Sequence, residues 1–118
     1  MNKLSLWLAF LCLLIQSYTN SAAVFTVGDG SGWSFGADSW PAGKSFRSGD
    51  VLEFNYNPAF HNVVAVDASG YNNCQMSAGS RVYNSGNDRI TIGGGTNYFI
   101  CSFAGHCDGG MRIAITAN

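Results

Sequence analysis

Between Val24 and Asn118 apolar and polar residues alternate in short runs punctuated by glycine-rich turns, with no long stretch at helical spacing. The clearest run is Val51–Tyr56. Leu52, Phe54 and Tyr56 share one face and Val51, Glu53 and Asn55 the other, so the first set is expected to face a core. Asn57-Pro58 ends that strand, because proline cannot donate to a ladder. Asn62–Asp67 is a second, β-branched run, and Arg89–Ile92 alternates cleanly. Asn97–Phe103 reads as the strand that delivers Cys101, and Met111–Thr116 sets Met111, Ile113 and Ile115 inward together. Val24–Val27 and Arg81–Tyr83 add shorter strands, and Ala68–Gly70 reads as a turn followed by one short helix over Tyr71–Ser77 that carries Cys74. About seven or eight short strands with little helix predict an all-β sandwich or barrel, in one domain without repeats or linkers.

The first residues follow a different pattern. Asn2 and Lys3 precede an unbroken, mostly apolar run, Leu4–Ile15; polar residues follow to Asn20, and then Ser21-Ala22-Ala23. A charged start, a short apolar centre and a small-residue end describe a secretory signal peptide, whereas a spanning helix needs about twenty apolar residues. Residues 1–22 are therefore expected to be a signal, cut after Ala22 or after Ala23, and residues 23–118 the mature domain. That domain carries five basic residues and seven acidic ones, which excludes a basic footprint for nucleic acid. The ending Ile115-Thr-Ala-Asn118 lacks an apolar tail, so no membrane anchor is expected, and the protein is read as secreted and extracellular.

Cysteine counting brings in the chemistry. Cys12 leaves with the signal, so Cys74, Cys101 and Cys107 remain, and an oxidising compartment should pair two of them. Cys107 directly follows His106 and would point away from it in extended chain. Cys101 lies in the stretch Cys101-Ser-Phe-Ala-Gly-His106-Cys-Asp-Gly-Gly-Met111, which places a thiol, an imidazole and a thioether in one glycine-rich loop. The pairing expected is thus Cys74 with Cys107, worth roughly 3–4 kcal/mol by loop closure, with Cys101 left free. Thiolate, imidazole and a weak thioether are the donors of a trigonal copper site, which needs one more histidine. The chain has two histidines, and the other is His61.

Each donor alone has an ordinary alternative. His61 follows a proline bend and resembles an exposed loop histidine, and Met111 opens an apolar strand and resembles plain core. Their conjunction with a leftover cysteine favours the metal site. Zinc on Cys101, Cys107, His61 and His106 is the chemical rival, but it would strand Cys74 unpaired, and no Cys-x-x-Cys knuckle is present.

The mature chain resembles the phytocyanins, small plant blue copper proteins, and among them the plantacyanin or basic blue branch. The resemblance rests on Val27-Gly-Asp, Trp33, Trp40-Pro, Phe46-Arg-Ser-Gly-Asp50, Phe54-Asn-Tyr-Asn-Pro58, His61-Asn-Val-Val64, Cys74, Tyr98-Phe-Ile-Cys101, Gly105-His-Cys107 and Gly110-Met111. It spans the whole mature chain. It implies a cupredoxin-like Greek-key β-sandwich with one copper on His61, Cys101, His106 and Met111, and the same Cys74–Cys107 disulfide. It gives Asn62 the role of tying the two ligand loops together. Met111 distinguishes the chain from the stellacyanin branch, where glutamine is axial, and the intact ligands from the early-nodulin-like branch; the mildly acidic charge differs from that of the basic blue proteins.

These readings converge on a monomeric one-electron carrier, not an enzyme, placed in the apoplast or cell wall and exchanging electrons with a redox protein or small molecule. The second reading is an extracellular wall-binding or signalling ligand in which copper is structural. Redox cycling with fast self-exchange would favour the first, and activity that survives ligand substitution the second.

Overall fold

The structure, a computed structural model, describes residues 22–118. The signal reading of residues 1–21 lies outside the described residues. Seven strands form two sheets: β1 (Val24–Thr26), β2 (Val51–Asn55), β3 (Val63–Val66), β4 (Arg81–Tyr83), β5 (Asn87–Thr91), β6 (Gly95–Ile100) and β7 (Arg112–Ala117). One sheet has the order β1-β2-β5, with β1 parallel to β2, and the other β4-β3-β6-β7, antiparallel throughout. A parallel bridge between Phe46 and Ala117 adds a further contact outside the named strands.

The core between the sheets is assembled from the faces read in the alternating runs. Leu52, Phe54, Ile90, Ile92, Phe99, Ile113 and Ile115 pack with Val27, Trp33 and Phe46, and Met111 and Cys101 belong to the same cluster. Aromatic edges interlock there, with Phe54 at 5.2 Å from Trp33 and 5.3 Å from Phe99. A second, smaller cluster lies apart from this core: Val64, Ile100 and Cys107 pack with Val66, Tyr71 and Cys74. This explains why β3 reads as a continuous apolar run, since Val63 belongs to the core while Val64, one residue on, joins the second cluster. The same step of one residue separates Ile100 from Cys101.

The helix differs from expectation. It is α1 (Ala68–Asn73), and it begins where a turn was read. Asp67 is the reason: its carboxylate accepts from the Gly70 N–H at 2.7 Å, capping the first turn and drawing the helix forward. Cys74 ends it in the left-handed region, φ 53°, a conformation strained for a non-glycine residue. Its bond to Cys107 fixes the side chain, and the Arg112 guanidinium donates to the carbonyl of Tyr71 at 3.0 Å just ahead of it.

Candidate metal centre

Topology gathers the site before any side chain is considered. His61 lies two residues before β3, Cys101 directly follows β6, and Met111 directly precedes β7. These strands are neighbours, and the pairings of Ile100 with Val64 and with Arg112 place all three positions at one end of the sheet. His106 enters through the intervening loop. Its N–H donates to the Phe103 carbonyl at 3.0 Å, the Met111 N–H donates to the His106 carbonyl at 3.0 Å, and the Cys101 N–H donates to the Met111 carbonyl at 2.9 Å. Gly110 makes this closure practicable. Its φ is 94°, and a Cβ there would stand 2.9 Å from the Gly36 nitrogen.

The side chains converge as the topology requires. One donor atom each from His61, Cys101 and His106 lies within 4.8 Å of the others. His61 Nδ1 is 3.0 Å from His106 Nδ1, and Cys101 Sγ is 3.5 Å from His106 Nδ1. Cys101 is fully buried and is the free cysteine among the described residues, while both imidazoles are half-buried. Burial, and then the neighbouring His106, holds the His61 imidazole below its ordinary pKa of 6.5, which favours the neutral ring that offers a lone pair. Two imidazole nitrogens and a sulfur facing one point are donors that one cation would bind in common. Soft sulfur with two imidazoles fits copper. Met111 is fully buried in the same cluster as Cys101 and bonded through its backbone to both Cys101 and His106.

The disulfide expected from counting is present, Cys74 to Cys107. Asn62 links the loops on which His61 and Cys101 stand. Its amide nitrogen donates to the Ser102 hydroxyl at 2.8 Å and its oxygen accepts the Ser102 N–H at 2.8 Å, joining the His61 loop to the Cys101 loop. Three contributions escaped sequence reading. Trp33, buried in the core, also donates its indole N–H to the Asn62 carbonyl at 2.8 Å. Phe35 lies edge-on to both imidazoles, 6.0 Å from His61 and 4.9 Å from His106, and Phe103 stacks on His106 at 5.7 Å. An aromatic two residues after Trp33 was the available signal for Phe35, but nothing in its local pattern ties it to a loop seventy residues away.

A two-sheet sandwich with two imidazole nitrogens and a buried thiol gathered at one end of a sheet defines a blue copper protein of cupredoxin-like fold. Residues 32–111 match the plastocyanin-like domain family. The chain is 60% identical over 111 residues to chemocyanin of Lilium longiflorum, covering 94% of this chain and 84% of that one. Among solved structures, cucumber basic protein, a blue copper protein, superposes with a TM-score of 0.80 at 53% identity, covering 81% of this chain and all of that one. Spinach plantacyanin superposes with a TM-score of 0.72 at 53% identity and the same coverage. The chain belongs to the phytocyanin family of blue copper proteins.

Proposed function

We propose that the chain is a secreted one-electron carrier holding one copper ion through Nδ1 of His61 and His106, Sγ of Cys101 and, more weakly, the thioether of Met111. The bound ion would supply cycling between Cu(I) and Cu(II). The protein's part is to present the donors already gathered and to keep them still. Cys101 and Met111 are fixed in the core, and the Asn62–Ser102 pair with the Trp33 bond restrains the two loops, so little rearrangement accompanies a change of charge.

Electrons would enter at the half-buried imidazole edges. Phe35, Phe103, Ala104 and Gly105 are exposed around His106 and carry no charge, a surface suited to a weakly charged redox protein or a small redox molecule. Ligands drawn inward rather than opened to a substrate support carriage over turnover. Secretion is supported by the disulfide, which belongs to an oxidising compartment, and by the expected signal.

The observation that carries this reading is the convergence of His61, Cys101 and His106 within 4.8 Å. Its test is the visible spectrum of the oxidised, copper-loaded protein. An intense thiolate-to-copper band is expected, and Cys101→Ser should fold, since the disulfide lies elsewhere, yet lose the band entirely. A band that persists in Cys101→Ser would remove Cys101 from the site.

A further inference from the structure

Asp50 is only 5% exposed and fastens two segments at once. One carboxylate oxygen accepts the Arg47 N–H at 2.8 Å, closing the turn that leads into β2, and the other accepts the Ala23 N–H at 3.0 Å. Ala23 is held on its other side too, since its carbonyl accepts the Val51 N–H at 2.9 Å. That bond adjoins the parallel β1–β2 pairing, which begins at Val24 with Val51. Among the described residues no lysine or arginine side chain forms an ion pair with Asp50. The charge of Arg47 acts on this carboxylate without an ion pair, and both bonds the group accepts come from neutral backbone donors.

We propose that the signal is removed by hydrolysis of the Ala22–Ala23 peptide bond and that the new α-ammonium of Ala23 pairs with Asp50, locking the mature N-terminus onto the turn before β2. The inference rests on the signal reading and is independent of copper. In the hydrolysis the C–N bond breaks, the water oxygen joins the Ala22 carbonyl to give a carboxylate, and the nitrogen leaves with Ala23 and is protonated. The bond already formed by the Ala23 N–H, until then assisted by the charge of the carboxylate alone, then becomes an ion pair between two charged groups. The carboxylate is suited to this role, because the Arg47 and Ala23 backbone bonds hold it below its usual pKa of 3.8 and keep it ionised.

Cleavage one bond later has the opposite effect. Removing Ala23 takes away both the donor to Asp50 and the acceptor of Val51, leaving a buried carboxylate oxygen and a strand N–H unsatisfied. Small-residue preference alone leans to that later bond, which puts Ser21 and Ala23 at the two small positions. The two arguments therefore predict different mature proteins.

The first experiment is the intact mass of the protein secreted by plant cells expressing all 118 residues. A chain beginning at Ala23 is expected, and one beginning at Val24 or elsewhere overturns the cleavage site. The second compares melting of the chain beginning at Ala23 with its Nα-acetylated form, which keeps the N–H but loses the charge. Acetylation should lower the melting temperature by about 4 °C or more, and should have no effect in Asp50→Asn. No change on acetylation, or an equal change in both backgrounds, overturns the ion pair. Melting and mass are read without the copper band, so failure here is separable from failure of the carrier reading.

Discussion

Met111 is core by its burial, and as a copper donor it is the proposal made above. It is fully buried beside Ile113 and Ile115, and its backbone N–H and carbonyl bind His106 and Cys101. The alternating pattern made the core position visible and the spacing within the loop suggested the donor. Replacing it by glutamine offers a harder oxygen donor, which favours Cu(II) over Cu(I). Met111→Gln should therefore lower the reduction potential while leaving the protein blue, by about 59 mV for each tenfold change in relative affinity. Electrochemistry of the two proteins in one buffer checks this, and an unchanged or raised potential would leave Met111 as core alone. His61, Cys101 and His106 were legible because the chain holds so few histidines and cysteines. Phe35 was not, because its contact with the imidazoles is made by tertiary packing and leaves no periodicity in its own segment.

Among the elements, strands were read better than their ends. The face holding Leu52 and Phe54 is the one the fold buries, whereas the helix starts three residues before Tyr71 because the Asp67 carboxylate caps it at Gly70. Tyr56 shows what alternation cannot reveal. It continues the core face of β2, but its hydroxyl also donates to the Asp88 carboxylate and lies 3.2 Å from the Tyr83 carbonyl, drawing the end of β2 to β5 and β4. Burial, and then the Asp88 bond, push its pKa up to about 12. A raised value means that the folded protein favours the protonated phenol. That stabilisation is whole below about pH 10, the unfolded value, and is lost as pH rises toward 12. Tyr56→Phe should be less stable at neutral pH, by about 1–2 kcal/mol, with the gap closing in alkali. Denaturant titrations at pH 7 and above pH 11 would read both, and a gap that stays constant would show that the phenol's proton is not involved.

For the whole molecule, composition and turn spacing pointed to a two-sheet sandwich, and the sheet order then explains why residues forty positions apart meet. What the chain could not disclose was which face each neighbouring residue takes where both are apolar. The succession of Ile100 and Cys101 is such a place: Cys101 joins the main core, while Ile100 packs beside the Cys74–Cys107 bridge in the separate smaller cluster. Thiol–disulfide exchange needs a thiolate to approach a disulfide sulfur directly. In the folded chain that approach is blocked by the packed sheet, so scrambling of the three sulfurs is confined to the period before the sheet closes. Maturation therefore faces a kinetic checkpoint rather than a lasting hazard, and a copper-stripped protein in an oxidising medium should keep its pairing. A thiol reagent should label native copper-free protein beginning at Ala23 slowly and the same chain promptly once denatured, at Cys101, the free cysteine among the described residues. Rapid native labelling, or a new disulfide appearing without unfolding, would show that the sheet is no barrier.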